Sequence, residues 1–204
     1  WSDKKGVYEE SGIIEEAMVT CILPYVKTAR EAIARFAKII KGHTAGESDG
    51  ILFVDPKEAW YFEIGTAHYW VAQRIPDDCY AVSANELAIQ EIDFNDSDNF
   101  ITAPGLQKFV EEHNLWPNNK LFNWRRIFGT HNLLDLTYNT ARVWTGQRIL
   151  SPSIKQEPSS FDIPFIQKAD HPISITDAQR VLRDHYDGTK YDVANPVNKD
   201  TAVY

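Results

Sequence analysis

Cysteine is scarce in this chain of 204 residues: there are two, Cys21 and Cys79, far apart. Two isolated cysteines make neither a disulfide framework nor a zinc-ligand spacing, and a reducing, cytoplasmic setting suits them. Basic residues are outnumbered, with 21 Lys and Arg against 29 Asp and Glu and a formal charge of −8. Such a surface repels phosphate backbones, which argues against nucleic acid as a partner. No apolar run nears the ~20 residues that span a bilayer, so no membrane partner is expected, and no secretory leader is visible. A phosphate-cradling Gly-rich loop, an HExxH helix and a nucleophile elbow are all missing. Aromatic residues are plentiful instead: 6 Trp, 9 Tyr and 10 Phe in a chain that is 43% hydrophobic. That apolar surface offsets ordering entropy and points to a folded core.

The order of residue types predicts an α+β protein. Residues 13–41 read as helix in two pieces, broken at Pro24, which cannot donate to a helical ladder. Val26, Ile33, Phe36, Ala37 and Ile40 recur at helical spacing, with Gly42 expected as the C-terminal cap. Four short β-branched and aromatic runs follow, at 51–54, 59–64, 68–75 and 79–83. The gaps between them are of hairpin length, so 51–83 is expected to form one antiparallel meander with the helix of 26–41 on a face. Residues 91–103 read as an acidic surface loop. Pro104 suits the first turn of a helix carrying Leu106, Phe109 and Val110, and Asn123 is placed to cap another from Trp124. Residues 132–150 show no clean period, and Pro152, Pro158 and Pro164 mark a connector. A last helix is expected over 177–186, capped by Thr176 and ended by Gly188. No linker splits the chain, so one domain is expected, with helix and meander in 1–102 and mainly helix and loop in 103–204. The chain opens on Trp1 and has a loop-like stretch at 194–200 near its end, which reads as an internal piece of a longer protein or, alternatively, as a natural end with a disordered tail.

Few residues carry chemistry by spacing alone. The run from Asp93 to Asp98 has oxygen ligands at alternate positions, like the start of a calcium loop. Asp98 stands where the sharp turn needs Gly, and Pro104 where Glu is needed, so a solvated loop is the reading. The six His residues show no paired ligand spacing. Cys21, amid apolar helix residues, is expected to be a buried small hydrophobe. Cys79 follows Asp77 and Asp78, whose charge raises a thiol pKa and weakens it as a nucleophile. Asn85 is more promising. It follows the strand run Tyr80-Ala81-Val82-Ser83-Ala84, and an amide donor on a rigid support is what an oxyanion hole needs. Asn is also a common turn residue.

An ordered set of segments resembles the bacterial dipeptidase A family. It comprises Asp49-Gly50-Ile51-Leu52-Phe53-Val54-Asp55-Pro56-Lys57-Glu58-Ala59-Trp60-Tyr61-Phe62-Glu63, then Tyr69-Trp70-Val71-Ala72-Gln73-Arg74-Ile75-Pro76-Asp77-Asp78 and Tyr80-Ala81-Val82-Ser83-Ala84-Asn85-Glu86. Tyr138-Asn139-Thr140-Ala141-Arg142-Val143-Trp144 and Arg183-Asp184-His185-Tyr186-Asp187-Gly188-Thr189 complete it, so the resemblance runs from about Glu15 to Asp192. It implies an N-terminal-nucleophile cysteine hydrolase: an antiparallel sheet with flanking helices, part of a four-layer αββα sandwich, that cleaves dipeptides without metal or cofactor. In this class the thiol of a first-residue cysteine attacks the peptide carbonyl while its own α-amino group accepts the proton. Trp1 has no such thiol, so the nucleophile is expected outside this chain. The 204 residues alone are then expected to hydrolyse no dipeptide, and an unpaired sheet edge is expected to favour a homo-oligomer. By the resemblance, Asn85 matches the oxyanion-stabilising Asn, and Arg142 matches an arginine that orients the amino group and nucleophile. A surface or interface ion pair is the other reading of Arg142. The rival function is a non-catalytic α+β module that binds a peptide or partner through its aromatic face.

Overall fold

A computed structural model describes residues 11–117 and 119–192. They form two compact units: residues up to Asp77 with Ile89–Gly129, and Asp78–Ala88 with the residues from Thr130 onward.

The first unit opens with helix α1 (Glu15–Ile22), a 3-10 turn over Leu23–Tyr25 and helix α2 (Ala29–His43). The break falls where Pro24 requires it. Thr28 caps α2 by accepting from the Glu31 N–H at 3.2 Å. The helix runs through Gly42 and ends at Thr44, whose φ of 60° terminates it, so Gly42 is not the cap. Ile33, Phe36 and Ile40 are buried as their spacing predicts, joined by Ala29 and Ala32. Cys21 is only half-buried, because α1 packs through Met18 and Ile22.

Strands β1 (Gly50–Val54), β2 (Ala59–Ile64) and β3 (Trp70–Ile75) form the expected antiparallel meander, with Phe53 opposite Trp60 and Phe62 opposite Ala72. The β1–β2 turn is held by Asp55, whose Oδ1 accepts from the Lys57 and Glu58 N–H groups at 2.7 and 3.0 Å. Its Oδ2 accepts from the Ala29 N–H at 2.8 Å, which ties the sheet to the start of α2. Phe36 of α2 lies on the sheet face, 6.4 Å from Phe53 and 5.1 Å from Phe62 between ring centroids, and Phe62 stacks on Trp70 at 4.7 Å. The opposite face of β2 is also covered: Glu63 is fully buried and its carboxylate accepts from the Ile89 N–H at 3.2 Å.

The fourth strand of this sheet differs from the expected one. It is β5 (Phe100–Thr102), antiparallel to β3, and it comes from the stretch read as a surface loop. The run at 79–83 leaves the meander. Only β4 (Tyr80–Ala81) is strand there, and it pairs in the second unit with β6 (Ile166–Gln167), just past the Pro-marked connector. Hairpin spacing favours the nearest partner, but the ladder is won by strands that bury matched faces, which spacing does not reveal.

Helices α3 (Leu106–Glu112) and α4 (Trp124–Phe128) complete the first unit. Asn123 caps α4 as expected, accepting from the Arg126 N–H at 3.0 Å. Gly65 lies against Trp124, where a Cβ would come within 2.6 Å of the indole.

The second unit contains α5 (Asp135–Tyr138), α6 (Thr140–Leu150) and α7 (Ile175–Arg183) beside the β4–β6 pair. Its apolar cluster is Tyr80, Ile149 and Leu150, with Val82, Ala169 and Val181 against it. Buried Ser151 joins the pieces: its hydroxyl donates to the Lys168 carbonyl at 2.6 Å and lies 2.9 Å from the Tyr80 hydroxyl. The cap of α7 is Ser174, not Thr176. It forms a capping box with Asp177, which satisfies two orphan N–H groups together, and the helix ends at Arg183, before Gly188. The expected loop at 194–200 lies outside the described residues. The architecture is α+β, an antiparallel sheet flanked by helices.

Candidate functional site

Asn85 and Arg142, 57 residues apart in sequence, meet in the second unit: Arg142 Nη1 donates to Asn85 Oδ1 at 2.9 Å. The support under Asn85 is not the strand that its sequence context predicts. β4 ends at Ala81, because β6 offers only two residues to pair, and Asn85 sits exposed in the bend that follows. What fixes the amide is the guanidinium. Arginine only donates, so the oxygen of Asn85 must face it and Nδ2 must point elsewhere. Among the described residues, Nδ2 donates to no partner.

Arg142 is itself held from several sides. Its Nε donates to the Tyr138 carbonyl at 2.8 Å, Nη2 to Asn139 Oδ1 at 2.6 Å, and its plane lies 4.2 Å over the Tyr138 ring. Asn139 is buried and donates through Nδ2 to Asp135 Oδ1 at 2.7 Å, which fixes its own orientation. Tyr186 faces the group, its hydroxyl pKa raised chiefly by burial although the Arg142 charge pulls the other way. The neighbouring arginine of α6 behaves differently: Arg148 meets Asp184 at 3.6 Å and lies 4.6 Å over Trp144.

Sequence reading missed Tyr138, Asn139 and Tyr186. The signal for the first two was present, because residues three and four before Arg142 share its helical face. Tyr186 had no such local signal.

The second unit also holds Cys79. Its thiol donates to Asp78 Oδ1 at 3.4 Å, and burial first, then Asp78, raises its pKa. Asp78 is in turn paired with Lys168 at 2.7 Å. A thiol so placed stays protonated near neutrality and is a weak nucleophile, in line with its sequence neighbours. The segment after Asp93 is a turn leading into β5, with Asp93 Oδ1 accepting from the Asn95 N–H at 2.9 Å and Asp96 Oδ2 from Asn99 Nδ2 at 2.8 Å. Among the described residues no group of three or more His, Cys, Asp or Glu is arranged to hold a metal ion. No helix among them is long and apolar enough to cross a membrane.

This arrangement lies within a match to the family model for peptidase family C69, which takes in residues 5–203. The chain belongs to peptidase family C69. Among curated relatives it is similar to a probable dipeptidase of Latilactobacillus sakei, 48% identical over 196 residues, covering 96% of this chain and 41% of that protein. It is 37% identical over 183 residues to dipeptidase A of Lactobacillus helveticus, covering 90% of this chain and 39% of that one. A dipeptidase of Bifidobacterium longum is 36% identical over 196 residues, covering 89% of this chain and 37% of the relative. The chain therefore spans about two fifths of the length of these relatives.

Proposed function

We propose that this chain is the oxyanion-binding part of a cysteine-type dipeptidase with an N-terminal nucleophile, within a four-layer αββα domain of which these residues form a portion. The observation that carries the reading is the Arg142–Asn85 bond of 2.9 Å, which turns Asn85 Nδ2 outward as a donor. An attacked peptide carbonyl develops negative charge on oxygen, and a pre-positioned amide N–H stabilises that charge most in the transition state. Arg142 acts as the positioning residue. In this reading the attacking thiol lies outside these residues, and Cys79, held protonated by burial and by Asp78, does not replace it. Dipeptides are the substrates, in keeping with the relatives known as dipeptidases. Two free thiols suit a reducing cytoplasm. A homo-oligomer fits the outer edge of β1, unpaired among the described residues, beside exposed Leu52 and Val54.

The rival, a binding module using its aromatic face, has less to work with. Trp60, Phe62 and Trp70 are buried inside the first unit rather than presented to a partner.

The test uses the full-length protein. Asn85→Ala is expected to lower kcat for a dipeptide by roughly 10²–10³ with little change in KM. An unchanged kcat in a folded variant removes Asn85 from the site.

A further inference from the structure

The Arg142 guanidinium is fixed in place by neutral groups alone. The Tyr138 carbonyl, Asn85 Oδ1 and Asn139 Oδ1 each accept one N–H. A guanidinium has five N–H donors, so one on each terminal nitrogen remains. No Asp or Glu pairs with it among the described residues, whereas Arg148 on the same helix is paired with Asp184. Asp135 reaches Arg142 only through the Asn139 amide. The Tyr186 hydroxyl stays neutral and supplies no countercharge. The result is a half-buried, pre-oriented cation with donors left for both oxygens of a carboxylate, the pairing in which Arg is strongest. Beside it is the outward Nδ2 of Asn85.

We propose that Arg142 binds the C-terminal carboxylate of the substrate while Asn85 Nδ2 receives the scissile carbonyl oxygen. This rests on the dipeptidase reading and explains how such an enzyme measures length. In a dipeptide the scissile carbonyl and the terminal carboxylate are one residue apart, a step of at most about 3.6 Å. The two donors belong to directly bonded side chains. A tripeptide puts a neutral amide where the cation sits, and so loses the charge-assisted bond.

Two alanyl-alanine isosteres with the scissile amide reduced to a methylene-amine serve as probes, one ending in a carboxylate and one in a carboxamide. Their Kd values on the full-length protein are measured by calorimetry. The carboxylate form is expected to bind at least about 10-fold more tightly. Arg142→Gln should abolish that preference, and Arg142→Lys should keep part of it. Equal Kd values in the wild type, or a preference that survives in folded Arg142→Gln, overturn the assignment. Hydrolysis of alanyl-alanine and of its C-terminal amide gives the second readout: Arg142→Gln should penalise the free acid more than the amide. An equal loss of kcat on both would mean that Arg142 serves the nucleophile and not the carboxylate. Absence of wild-type turnover would sink the dipeptidase reading, and the Kd comparison would still judge Arg142.

Discussion

Rings fill the first unit: Phe36, Phe53, Phe62 and Trp70 meet across one face of the sheet, and Trp124 covers Gly65. Directional bonds hold the second, where buried Asp135, Asn139, Gln147 and Ser151 all bond to side chains or carbonyls nearby. The difference has a physical meaning. Apolar packing is non-directional and rewards volume, so it builds a stiff frame. A satisfied polar network fixes the orientation of each member, as the proposed site, which aims an amide and a cation, requires.

The comparison breaks if the two materials respond alike to truncation. Phe62→Ala removes a fully buried ring touching three others and should cost about 3–5 kcal/mol, read from denaturant unfolding of the full-length protein. Ser151→Ala leaves the Lys168 carbonyl and the Tyr80 hydroxyl without their partner and should cost less, about 1–3 kcal/mol. If Ser151→Ala proves as costly as Phe62→Ala, the second unit depends on its polar joints as heavily as the first does on its rings.

The smallest effect concerns acid. The Asp55 carboxyl is held below its ordinary pKa first by the Ala29 N–H and then by that of Lys57. A carboxyl lowered on folding stabilises above its unfolded value, and that stabilisation fades as pH falls through the folded one. The stability of the first unit should therefore decline below about pH 4. Asp55→Asn should flatten that decline. An identical pH slope in the variant would show that the turn-to-helix tie at Asp55 carries none of it.

The same contrast governs what could be read in advance. Helix α2 was legible because one stripe is buried and the rest is wet, and β1 to β3 because their hairpins are local. Helix α6 showed no period because polar Thr140, Thr145 and Gln147 are buried beside Ala141, Val143, Ile149 and Leu150, so burial there does not follow polarity. β5 is three residues long and earns its place only through its partner β3. The segments around Asn85 and Arg142 singled out each of them, but not the bond between them.

By itself the sequence determined the breaks, caps and periodic faces: Pro24, Asn123, the apolar stripe of α2 and the alternation of β2. These depend on neighbours within a turn or a hairpin, where covalent connection holds the partners close. Tertiary structure alone decided that β4 pairs with β6 and that Arg142 turns the amide of Asn85 outward. Local propensity ranks such alternatives only weakly, and packing selects among them. Contacts between distant residues must offset a loop-closure entropy that no short window of sequence records.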